Sequence, residues 1–187
     1  MNDILRKDSI YIDGLGRLHI HFSHRAKYAR ISVNTSSKVT VTIPNLLKKK
    51  DAIIFVKSKR EWIIRNKIKA SKRKLLKLDL SRNQLNDFWK KSEKKIFFLS
   101  KSYSFEYNDL IFKTLKSRWG SCSSNNIICL NNLLYYLPDY LQEYVMLHEL
   151  VHTKVKNHSS QFWNQLESIC EDSKIKSKEL KDNYALA

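Results

Sequence analysis

The sequence predicts an α+β fold, and three features carry that expectation. Apolar and polar residues alternate over residues 9–43. From about residue 48 the apolar spacing lengthens to that of a helix. Strand character then returns over residues 104–130, before Pro138 opens another helix. The organisation expected is a small N-terminal lobe of antiparallel β-hairpins, residues 1–45. A helical and mixed part, residues 46–187, follows as a second domain or as a continuation of the first.

In the first lobe Ile10 and Ile12 lead to Leu18, Ile20 and Phe22, then to Ile31 and Val33, then to Val39, Val41 and Ile43. Asp13-Gly14-Leu15-Gly16 divides the first two runs and residues 34–37 divide the second two, so the pattern predicts two antiparallel hairpins. Pro44 closes the region. Over residues 48–78 a stripe of Ile53, Val56, Ile63, Ile64 and Ile68 predicts a helix whose other sides carry Lys and Arg. A second helix is expected over residues 82–100, with Ser81 as N-cap and Leu85, Phe88, Trp89, Ile96 and Leu99 turned inward. Residues 118–126 have turn composition between two strands. Pro138 suits the first position of a helix running to about residue 156, and Asp139 suits its positive end. Further helices are expected over residues 160–171 and 177–183.

The chain has 187 residues and a formal net charge of +17. Residues 46–102 hold nineteen Lys/Arg and five Asp/Glu. Such a segment attracts polyanions, nucleic acid among them. A coding sequence that fills surface positions with lysine would give a similar excess. No apolar run is long enough to span a membrane, and the first ten residues lack a secretory signal's apolar core, so a cytoplasmic protein without a membrane partner is expected. Three cysteines with no C-x-x-C pair argue against a disulfide framework.

The chemistry is concentrated in His148-Glu149-Leu150-Val151-His152. Histidines at i and i+4 share a helical face and can both reach one tetrahedral Zn²⁺. Glu149 sits about 100° around the helix, where it can act as general base on water without becoming a ligand. A catalytic zinc needs a third protein ligand and an open position. His158 is favoured, provided the helix ends and the chain turns back. Glu167 and Glu171 are the rivals, and Cys122 is a remoter candidate. Val155 stands where the long metzincin pattern has glycine, and no methionine lies downstream, so that class is excluded.

Residues 118–163 resemble the YgjP-like metallopeptidase family, related to the WLM and SprT-type zincins. The resemblance rests on Trp119-Gly120-Ser121-Cys122, residues 128–134, Leu137-Pro138, the HExxH run, Asn157-His158 and Phe162-Trp163. A weaker block covers residues 24–33, Pro44 and residues 59–63. The resemblance implies a zincin-like catalytic domain with His148, His152 and His158 on zinc and Glu149 as base. It leaves peptidase and nucleoside-triphosphate (UTP) pyrophosphatase activities open, and the basic segment adds a nucleic-acid-associated zincin as a third reading. Substrates would be peptide, protein or nucleotide. Residues 129–132 are the candidate edge strand for pairing with an extended peptide, with Asn131 as a substrate contact. Arg118 could stabilise an oxyanion or phosphate.

Overall fold

The computed structural model describes residues 7–34 and 36–186. The alternating segments form β1 (Lys7–Ile12), β2 (Gly16–Ser23), β3 (Arg30–Val33) and β4 (Val39–Pro44) in one sheet of order β1-β2-β4-β3. The two expected hairpins are present as antiparallel β1–β2 and β3–β4 pairs. A parallel β2–β4 ladder, which the pattern did not announce, joins them into one sheet. The β1–β2 turn needs its glycines, since Gly14 and Gly16 have φ of +70° and +78°, a region that side chains with a Cβ avoid.

Helices α1 (Lys49–Ser58) and α2 (Arg60–Lys72) replace the single helix expected over residues 48–78, with the break at Lys59. Ala52, Val56 and Ile63 are fully buried and share a core with Leu18, Ile20, Val39, Val41 and Ile43 of the sheet. Each of these Val, Leu and Ile side chains contributes about 1.5–3 kcal/mol by burial. Ile68, expected on the apolar stripe, is 49% exposed, because Ala70 takes the inward position in the last turn of α2. Trp62, on the same helix, is exposed as well. The chain divides into two compact units, residues 1–73 and 74–187, so α1 and α2 fall with the first sheet and not with the residues after them.

The second unit opens on β5 (Lys74–Leu76), which pairs in parallel with β9 (Tyr184–Leu186). Helix α3 (Arg82–Ser102) starts at Ser81, whose hydroxyl accepts from Gln84 N–H while Gln84 Oε1 accepts from Ser81 N–H. Phe88, Ile96 and Leu99 are buried, and Trp89 stacks on Phe112. Strands β6 (Asp109–Lys113), β7 (Gly120–Cys122) and β8 (Ile127–Asn131) form a sheet of order β6-β8-β7. β7 lies inside the stretch expected to be all turn. It is too short to show a period, and the turn shrinks to the residues before Asn126, which has φ of +54°.

A 3₁₀ turn (Asn132–Tyr136) leads to α4 (Asp139–Val151), capped by Pro138, and α5 (Ser160–Ile169) and α6 (Ser173–Asn183) follow. In α4, Leu141, Val145, Met146, Leu147, Leu150 and Val151 are buried. No helix among the described residues is long and apolar enough to cross a membrane.

Candidate metal centre

Helix α4 ends sooner than its apolar pattern suggests. Its last turn closes at His152, which keeps right-handed backbone angles, and Thr153, Lys154 and Val155 N–H groups donate back to Leu150 and Val151 carbonyls. The helix expected to run to about residue 156 does not reach Asn157. Instead Asn157 Oδ1 accepts from Ser159 N–H and bends the chain into α5. Lys156 ties the same loop to the β7–β8 turn by donating to the Ser123 carbonyl at 2.8 Å and to Asn126 Oδ1.

This turn brings His158 back to the helix. Its Nε2 lies 3.0 Å from His148 Nε2 and 3.2 Å from His152 Nε2, and all three donor atoms fall within 4.8 Å of one another. A tetrahedral ion with ligands at about 2.0–2.1 Å sets them about 3.3 Å apart. The rivals are not brought in: Glu167 accepts a hydrogen bond from Ser173 Oγ, and both Glu167 on α5 and Glu171 beyond its end are exposed and outside the histidine group. Cys122 is outside the histidine group as well, with Lys156 Nζ 3.7 Å from its sulfur.

The protonation states fit a cation. A carbonyl can only accept, so the 2.9 Å contact between His152 Nδ1 and the Val155 carbonyl puts the proton on Nδ1 and leaves the Nε2 lone pair facing the cluster. Burial, then the neighbouring His152 and His158, push the His148 pKa down to about 3; burial lowers that of His152 as well. Three imidazole nitrogens gathered this closely are the donor set that zinc and other divalent first-row metals take. Phe162, fully buried, forms an apolar floor, with its ring centroid 4.5 to 4.8 Å from each of the three imidazoles. Its role is not legible from spacing, since an aromatic on an amphipathic helix reads as ordinary core.

Glu149 is buried, its Oε2 makes no hydrogen bond, and burial raises its pKa to about 8 against the opposing pull of Arg118. The carboxylate is accommodated by Gly120 on β7. A Cβ placed there would come within 2.7 Å of Glu149 Oε1 and 2.8 Å of its Cγ. Gly120 is therefore required by close approach, not by the turn its sequence context suggests.

Arg118 is exposed. Asn131 has a different part from the substrate contact expected of it. Fully buried, it donates to the Leu115 and Arg118 carbonyls at 2.8 and 2.9 Å and accepts from Leu133 N–H. Its side chain braces the loop before β7. The edge-strand expectation for residues 129–132 is also corrected, because β8 is the central strand and is paired on both sides. The edge strand against α4 is β7. Trp119 and Ser123 bond to Asn131 and Ile127, which turns the backbone groups of Gly120 and Cys122 toward the open edge.

Residues 70–183 match the YgjP-like family, metallopeptidase domain. The crystal structure of the metallopeptidase zymogen of Pyrococcus abyssi abylysin is similar at 22% identity and a TM-score of 0.43, covering 50% of this chain and 99% of that one. The zymogen of Methanocaldococcus jannaschii jannalysin is similar at 26% identity and a TM-score of 0.40, covering 48% of this chain and 91% of that one. No curated protein matches.

Proposed function

Since the chain belongs to the YgjP-like metallopeptidase family, we propose that it is a zinc peptidase in which His148, His152 and His158 hold the ion and Glu149 is the general base. The observation that carries this is the convergence of three imidazole nitrogens beside a helix turn bearing a buried carboxyl group with a free oxygen. Zinc held there supplies Lewis acidity, polarising the scissile carbonyl and lowering the pKa of water to about 7.

The chain's own residues supply the rest. Glu149 takes a proton from the attacking water on Oε2 and passes it to the leaving amine. The Val155 carbonyl fixes the tautomer of His152. Phe162 keeps water from behind the cluster, where a low dielectric strengthens each charge interaction. The open edge of β7 receives an extended peptide by strand addition, and Arg118 offers a positive charge for the developing oxyanion.

The test is hydrolysis of casein and of quenched-fluorescence peptides by the zinc-loaded full chain, beside Glu149→Gln. The variant is expected to keep its zinc and lose about 10²–10⁴ in rate. Equal rates in the two proteins would overturn the reading. Pyrophosphate release from UTP, dependent on Glu149 and without peptide cleavage, would replace it with the pyrophosphatase reading.

A further inference from the structure

The first unit carries a charge that its fold does not require. Residues 1–73 hold 18 Lys/Arg against 5 Asp/Glu, whereas residues 74–187 hold 17 against 13. A coding bias toward lysine would raise both units alike and would leave arginine untouched. Here seven of the nine arginines also lie in residues 1–73. The excess is local, and it uses both cations.

Its sharpest expression is on α2. Trp62, Arg65, Lys69 and Lys72 recur at spacings of three and four, so they line one face of the helix over about 15 Å. All four are exposed, Trp62 by 40%, while Ile63 beside it is fully buried in the core of the first unit. Over residues 57–73 eight Lys/Arg accompany a single acid, Glu61. An indole 40% exposed on this stripe offers a flat face on which a partner can stack. Cations spaced along the same stripe select a polyanion, and the indole selects one with flat apolar faces between its charges. Single-stranded nucleic acid has that alternation of phosphate and unpaired base. Duplex nucleic acid offers the phosphates but keeps its bases stacked.

We propose that the exposed face of α2 binds single-stranded nucleic acid, with Arg65, Lys69 and Lys72 neutralising phosphates and Trp62 stacking on a base. The proposal is independent of the hydrolase reading, because it concerns residues of the first unit alone.

Fluorescence anisotropy of a short labelled oligothymidylate with the zinc-loaded full chain tests it, across a salt series. Binding is expected to weaken steeply with salt. Arg65→Gln/Lys69→Gln/Lys72→Gln should lose about tenfold or more in affinity and flatten the log–log salt slope by about 2, near 0.7 per phosphate contact. Trp62→Ala should lose about five- to a hundredfold at unchanged slope, and Trp62→Phe should retain most of the affinity. A control removes as many charges from the exposed side of α6, as Lys174→Gln/Lys178→Gln/Lys181→Gln, and should change affinity less than about threefold. Unfolding midpoints check that each variant is folded. The proposal is overturned if the two triple variants bind alike, or if Trp62→Ala binds as the parent does. It is equally overturned if the chain binds phosphatidylglycerol vesicles or duplex DNA but not the oligothymidylate.

Discussion

The two units handle polar residues in opposite ways. In the first, among the described residues, every buried side chain is apolar and the charge lies outside, strongly positive. In the second, acids and bases nearly balance, and all eight buried polar residues of the described chain are found there. They include Asn131, Asn132, Gln142, Glu149 and His152, from the strand, turn and helix that build the histidine cluster. Burying such groups costs stability unless each finds a partner. Nearly all do: Trp89 Nε1–H donates to Asn132 Oδ1, Asn132 to Thr114 Oγ1, and Gln142 to the Leu137 carbonyl. Two of the eight keep an atom left over, Ser92 Oγ and Glu149 Oε2, and only the second belongs to a carboxyl group. The comparison teaches where specificity is held. The second unit places it in an internal polar framework around one site, and the first unit places it on a surface.

The comparison can be broken most directly at the metal cluster. His148→Ala should abolish zinc retention and peptide cleavage together while leaving oligothymidylate affinity unchanged. For the parent, zinc at a hundred times its dissociation constant should add about 2.7 kcal/mol of stability, and the variant should gain none, as thermal unfolding with and without chelator would show. A variant that still bound zinc tightly would separate His148 from the site.

Next in size is the polar framework. Asn131→Ala should cost about 1–3 kcal/mol in denaturant unfolding, because it strands Leu133 N–H and the Leu115 and Arg118 carbonyls. Thr40→Ala on the first sheet, where the exposed-facing residues are polar by pattern alone, should cost under about 1 kcal/mol. Equal costs would erase the contrast.

Gly120→Ala should be smaller in stability and visible in rate. The new methyl displaces the Glu149 side chain from its place against β7. Zinc content and KM are expected to hold while kcat falls about tenfold or more. Loss of zinc instead would show that β7 supports the histidines and not the carboxylate.

The smallest effect is a pH dependence of the metal-free protein. His148 has its pKa lowered to about 3 in the fold, so it contributes stability above its unfolded pKa of 6.5 that is lost as pH falls toward 3. Glu149 has its pKa raised to about 8, so it contributes stability below its unfolded pKa of 4.5 that is lost as pH rises toward 8. Between pH 4.5 and 6.5 the two slopes oppose each other. Stability should therefore be level there, fall at lower pH, and fall by about 1 kcal/mol or more from pH 6.5 to 8. Urea unfolding in chelator would trace it. Glu149→Gln should remove the alkaline decline and turn the level stretch between pH 4.5 and 6.5 into a rise with pH.

What the residues disclosed depended on whether a signal was periodic. The β1–β2 and β3–β4 hairpins, α3 with its Ser81 cap, and the HExxH helix were all legible, since each repeats an apolar spacing or carries a fixed motif. His158 was legible through its family motif and its distance from a helix end. Three things were not. The β2–β4 parallel ladder is a long-range pairing that alternation cannot specify, because both hairpins show the same period. Strand β7 spans three residues of turn-like composition and exists through partners on β8. The exposure of Trp62 is invisible because residues 62–64 include two isoleucines, and only the packing shows that Ile63 points in. Asn131 was misplaced for a related reason. A polar residue at a strand end looks like a contact for ligand until its amide is seen to be fully engaged.

One feature of the second unit bears on how it is made. β5 at residue 74 has its partner in β9 at residue 184, so the first strand of that unit waits for the last. At about 5–20 residues per second of synthesis, the wait is several seconds to tens of seconds. The histidine helix and the turn that returns His158 lie between these strands and are synthesised before β9. The order of synthesis therefore places every histidine of the cluster before the strand that closes the unit.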